Sequence, residues 1–102
     1  MAIAWVQEFQ LQGADRSTTN YDAIAARINA QSERPPGLIL HTAGFDEGSG
    51  VFRIFDVWET AADRERFFED RLNPILQEVM AGAADATPPT RESVYELHDV
   101  AP

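Results

Sequence analysis

The chain has no cysteine and no lysine. Without cysteine it can build no disulfide, thiolate nucleophile, iron–sulfur cluster or cysteine-containing zinc site. Without lysine it can form no Schiff base and no Walker-type phosphate-binding lysine. Histidine is almost as scarce. His41 and His98 are the two in 102 residues, and neither stands in an H-E-x-x-H, E-x-x-H or H-x-H spacing, so no metal site is expected. Basic charge is also thin. Eight arginines are dispersed among seventeen acidic residues for a formal net charge of -9, which leaves no basic stripe for phosphate. Neither nucleic acid nor an anionic membrane surface is an expected partner. No apolar run approaches the ~20 residues that span a bilayer. Met1 to Leu11 carries no charged-then-apolar leader, so a cytoplasmic location is the expectation.

What remains is the composition of a small globular protein, with 44% hydrophobic and 25% charged residues. The length suits one domain over residues 1–102 with room for one core. Ile3, Trp5, Gln7, Phe9 and Leu11 alternate with Ala4, Val6, Glu8 and Gln10, the period of a half-buried strand. Thr19 with Asp22 three residues on gives a capping signature ahead of Tyr21, Ile24, Ala25 and Ile28 at helical spacing. Pro35 and Pro36 must end that helix by about Arg34.

Gly37 opens a second strand, LILHTAGF, in which Ile39, His41, Ala43 and Phe45 share one face and Leu38, Leu40 and Thr42 the other. Asp46 to Gly50 is turn material, so Val51 to Trp58 should return antiparallel. Ser49 in that turn lies between two strands and is no nucleophile elbow, which requires a strand-to-helix turn. Thr60 with Asp63 caps a longer helix whose inward face holds Ala61, Phe68, Leu72, Ile75, Leu76 and Val79. Pro74 should kink or split it after Leu72. Gly82 to Pro89 reads as a loop and Glu92 to His98 as a last strand.

Strand, helix, strand, strand, helix, strand is the order of an α+β ferredoxin-like βαββαβ fold, with two helices on one face of a four-stranded antiparallel sheet. Apolar residues on both faces of the first three strands, such as Trp5 against Val6 and Phe55 against Trp58, ask for a cover on the second face. A second copy laid sheet to sheet supplies it, so a homodimer closing an α/β barrel is expected.

The stretch His41 to Pro74, with HTAG, FRIFDVWET and RFFEDRLNP, resembles small actinobacterial-type members of the antibiotic-biosynthesis-monooxygenase group of dimeric α/β barrels. Members of that wider group oxidise anthrones or quinols with dioxygen without metal or flavin, degrade haem, or bind ligands or partners. The haem-degrading branch carries an iron-binding histidine about ten residues beyond a tryptophan like Trp58. Phe68 stands at that position here, and the first strand has no asparagine, so the resemblance implies no haem and no other cofactor.

Five residues are candidates for a site that takes a small aromatic ligand. His41, mid-strand, suits a general base near neutral pH; the alternative is a core histidine bonded to a carbonyl. Asp56 on the paired strand orients it if the hairpin register sets the two opposite, whereas a one-residue slip brings Arg53 and Phe55 there instead. Trp58 and Phe68 can hold a flat ring, and Trp58 can equally fill the gap between sheet and helix. Arg53 can steady developing negative charge, or pair with Asp46 or Glu47 near the turn. Together these suit a cofactor-independent oxygenase for a quinol-type substrate; the rival is a ligand-binding or structural homodimer without catalysis.

Overall fold

Alternating and helical patterns resolve into strand β1 (Ile3–Gln10), helix α1 (Thr19–Ile28), strands β2 (Leu38–Asp46) and β3 (Val51–Trp58), helices α2 (Ala61–Phe67) and α3 (Asn73–Ala81), and strand β4 (Arg91–Glu96). This computed structural model describes residues 1–81 and 88–101. Of the loop expected at Gly82–Pro89, residues 82–87 lie outside the described residues. The strands form one antiparallel sheet in the order β2-β3-β1-β4, which is the α+β ferredoxin-like arrangement. β4 is shorter than expected and leaves His98 beyond its end.

Register sorts the side chains. Ile3 pairs with Trp58, Trp5 with Asp56, Gln7 with Ile54 and Phe9 with Phe52, so these eight share the face that the helices cover. On β2, His41 faces Asp56, Ala43 faces Ile54 and Phe45 faces Phe52. Simple alternation would put Leu38 on the opposite face from His41, and here the expectation is corrected. The register shifts between Leu38 and Leu40, with Ile39 as the extra residue of a β-bulge, so Leu38 meets Trp58 on the helix side. Arg34 steadies the irregular stretch by donating to the carbonyls of Leu38 (3.0 Å) and Ile39 (2.6 Å).

The core gathers at one end of this face, where Ile3, Trp5, Leu38, Trp58 and Phe67 pack together. Each large side chain there contributes about 1.5–3 kcal/mol of hydrophobic burial. Thr60 caps α2 as expected, its Oγ1 accepting from the Asp63 N–H at 3.1 Å. Pro74 cannot donate to the carbonyl of Asp70, and just before it the chain widens into a π-helical turn, Phe68–Leu72, with the Asn73 N–H bonded to the Phe68 carbonyl. Across that turn it is Phe67 that is buried, stacked at a tilt on Trp58 with centroids 5.0 Å apart. Phe68 is half-buried and meets Trp5 edge-on at 6.3 Å.

Helix α1 is held differently. It buries no residue fully, although Tyr21, Ile24, Ala25 and Ile28 are half-buried. Its N-cap is Thr18 rather than Thr19, and Thr18 Oγ1 donates to Asp22 Oδ2 (2.8 Å) instead of capping a backbone N–H. Asn29 ends it in the left-handed region (φ 52°), which asparagine tolerates. Polar ties then fasten its ends. Arg71 donates to the carbonyls of Ile28 (2.6 Å) and Glu33 (3.1 Å), Arg27 pairs with Glu78 (2.8 Å), and Arg16 just upstream pairs with Glu47 (2.7 Å). A helix fastened by its ends, with small Ala25 among its inward residues, leaves space between itself and the sheet.

Candidate functional site

That space is a cleft of about 910 Å³ between α1, α3 and the helix-facing side of the sheet. Trp5, Phe9, Phe45, Phe52, Trp58 and Phe67 give it aromatic walls, while Gln12, Thr18 and Asn20 add polar groups. Volume and lining suit a flat organic molecule of several rings.

Into the same cleft β2 and β3 bring His41 and Asp56. The two are directly opposed in the hairpin, the register in which cross-strand side chains meet, and His41 Nδ1 lies 2.5 Å from Asp56 Oδ1. Asp56 is 5% exposed and so requires a partner for its charge; the imidazole, with 36% of its side chain open, supplies it. Tyr21, from the first turn of α1, completes a chain: its hydroxyl is 2.7 Å from His41 Nε2. Phe52 packs edge-on against the Tyr21 ring at 5.5 Å and Phe45 against Phe52 at 4.9 Å, which fixes the phenol in place.

A carboxylate only accepts, so these contacts favour one tautomer when His41 is neutral. Its proton sits on Nδ1, donated to the carboxylate, and the Nε2 lone pair accepts the Tyr21 hydroxyl. The hydrogen bond to Asp56 holds the imidazole pKa above its ordinary 6.5, partly opposed by burial. Tyr21 is pushed above the ordinary phenol value of 10.0, first by burial and then by the charges of Asp56 and Asp22. The cleft therefore holds an imidazole of strengthened affinity for a proton beside a phenol that stays protonated at neutral pH.

The other candidates separate. Trp58 is fully buried and fills the gap between sheet and α2, yet it also lines the cleft, and its indole N–H has no partner among the described residues. Phe68 does not line the cleft; its neighbour Phe67, about a quarter-turn round the helix, does. Arg53 lies on the far face of the sheet, where it pairs with Glu8 and Asp46 at 2.7 and 2.8 Å. Alternation explains this, since Arg53 is three positions from Asp56. His98 is exposed. Among the described residues no cluster of three or more His, Asp or Glu is placed to hold a metal ion. Tyr21 is the member that sequence reasoning passed over as one more inward helix position, and no local spacing signals that its hydroxyl meets a strand residue twenty positions on.

No family model matches the chain, and no curated protein matches it. Solved structures do. The chain matches SnoaB, a cofactor-independent oxygenase from Streptomyces nogalater, with a TM-score of 0.63 over 99% of this chain and 97% of that one at 17% identity. The fold is that of antibiotic-biosynthesis-monooxygenase-like proteins. Rv0793 from Mycobacterium tuberculosis matches with a TM-score of 0.67 over the whole of both chains at 14% identity. A candidate antibiotic biosynthesis monooxygenase from Caulobacter crescentus CB15 matches with 0.66 over 96% of this chain and 91% of that one, again at 14% identity. At such identities the antibiotic-biosynthesis-monooxygenase-like architecture is what the chains share. No helix of the described residues is long and apolar enough to cross a membrane.

Proposed function

We propose that the protein is a cofactor-independent oxygenase acting on a small, flat hydroxyarene of the anthrone or quinol type. The observation that carries this is the His41–Asp56 couple set in an open, aromatic-walled cleft. Such a substrate needs from the protein a base and an apolar shelf. His41 is the terminal acceptor of the substrate's proton, and Asp56 holds the ring in its tautomer and stabilises the imidazolium that forms. The carbanion so made is electron-rich enough to reduce dioxygen. Loss of the O–H proton from the enol tautomer gives the same delocalised anion, with carbanion character at the CH2 carbon of the keto form; that CH2 and O2 then give C=O and H2O, which balances without a further oxidant. Trp58 and Phe67 line the ring's place, and the unmet indole N–H of Trp58 offers a donor to a ligand oxygen. The likeness of the fold to a cofactor-independent oxygenase supports the same reading.

An open cleft with a polar part favours this over a purely structural role, for which aromatic side chains would fill the space. We assign the far face of the sheet, with Val6, Leu40, Phe55 and Tyr95, to a homodimer contact. An oxygen electrode tests the chemistry. Hydroxylated anthrones and naphthols should give enzyme-dependent oxygen uptake, and His41→Ala should lower its rate by about 10²–10⁴-fold. Uptake unchanged in that variant removes His41 as the base.

A further inference from the structure

His41 offers a substrate one nitrogen, because Nδ1 is committed to Asp56. That remaining nitrogen is already occupied: the Tyr21 hydroxyl sits on Nε2 at 2.7 Å. A hydroxyl arriving in the cleft reaches Nε2 directly only by displacing a phenol that is braced by Phe52 and anchored in the first turn of α1. Tyr21 lines the same cleft as His41, and a hydroxyl bonded to the phenol oxygen would leave the Tyr21–His41 bond in place. We infer that Tyr21 is a catalytic residue that touches the substrate and relays its proton to His41. The inference rests on the cleft being a hydroxyarene site.

The relay balances. The substrate O–H breaks and its proton joins Tyr21 Oη; the Tyr21 O–H breaks and its proton joins His41 Nε2. Tyr21 ends as the neutral phenol it was, His41 ends as an imidazolium bonded to Asp56, and the substrate is left as its anion. A hydroxyl is suited to this because it donates and accepts at once. The groups around it agree. Asp22 on α1 and Asp56 on β3 both place negative charge near Tyr21, which with burial disfavours a resting tyrosinate and leaves the phenol as a conduit. The same Asp56 favours the imidazolium at the end of the chain. Tyr21 also sits on the helix that is fastened by its ends, so proton transfer is coupled to how α1 lies over the sheet.

The test uses a phenol whose anion is coloured, 4-nitrophenol, and needs no turnover. On the wild-type protein the bound probe should ionise at a lower pH than the free probe does. Tyr21→Phe keeps the ring that packs on Phe52 and should lose that lowering entirely at saturating probe, as should His41→Ala. A Tyr21→Phe protein that ionises the bound probe as readily as the wild type overturns the relay, because the phenol then adds nothing to the transfer. Failure of the wild-type protein to bind the probe or to lower its ionisation overturns it as well. Should Tyr21→Phe fail to fold, 3-fluorotyrosine placed at position 21 keeps the ring and its hydroxyl; the relay requires the rate of proton transfer from the bound probe, followed by stopped-flow absorbance, to change with the fluorine, and an unchanged rate rejects it. Oxygen uptake is the separate arm. Lowered ionisation without uptake from any anthrone or naphthol retains the relay and rejects the oxygenase.

Discussion

Asp56 is nearly out of reach of solvent, and a carboxylate at that depth tunes whatever shares its hydrogen bond. The consequence is a pH dependence with two opposite signs. The folded-state pKa of His41 lies above 6.5, raised mainly by the bond to Asp56. A group raised on folding contributes its full stability below its unfolded value, about pH 6.5, and loses it as pH climbs through the folded value. Denaturant melts across this range should therefore find His41→Gln most destabilising on the acid side and progressively less so on the alkaline side. Catalysis runs the other way. If His41 is the base, it must be neutral to act, so kcat/KM should rise with pH through a midpoint above 6.5, and in Asp56→Asn that midpoint should move to lower pH with a reduced plateau. At this scale the sequence told half the story. His41 and Asp56 stand out because few residue types in this chain can move a proton and the hairpin register admits their pairing, whereas Tyr21 is disguised by helical periodicity and depends on a tertiary contact.

Secondary elements meet through a backbone position that tolerates no side chain. Gly37 takes φ +87° at the start of β2, its carbonyl accepts the Glu59 N–H at 2.8 Å, and a Cβ there would collide with Asp63 in the first turn of α2. Gly37→Ala should cost on the order of 2–4 kcal/mol from backbone strain and overpacking together. Calorimetry should show Tm lowered by at least about 10 °C; an unchanged Tm would mean that α2 shifts freely. Periods of two and 3.6 made every strand and helix legible, and Pro74 announced the change in helix geometry. The π-helical turn was not legible, because its wider hydrogen bonds answer to packing around Phe67 and Trp58 as much as to the proline.

At the scale of the molecule, the sheet has one face under helices and one face carrying Leu40 and Tyr95, 46% and 48% exposed, beside half-buried Val6 and Phe55. Apolar residues of that size on an uncovered sheet face mark a contact surface. Native mass spectrometry should find the wild type as a dimer. Leu40→Arg should shift it to monomer while leaving the cleft, on the opposite face, able to bind 4-nitrophenol. A wild type that is monomeric at micromolar concentration would reject the barrel. Element order alone was enough to read the ferredoxin-like sheet and its helices from the chain. The cleft was not legible, since it arises from where α1 rests, and the arginine ties of that helix reach residues as far apart in sequence as Ile28 and Arg71.

The surplus residue Ile39 carries a consequence for how this protein can vary. Between Leu38 and His41 the chain counts one more position than the opposing strand spends on the same distance. Substituting Ile39 changes an identity and keeps the count. Deleting it restores the arithmetic of a plain strand, and everything on one side of the deletion trades surfaces with everything on the other, so that either Leu38 abandons the core or the imidazole is delivered to the wrong side of the sheet. Length is thus the guarded quantity in this stretch, and a lost codon there would matter more than almost any exchanged one.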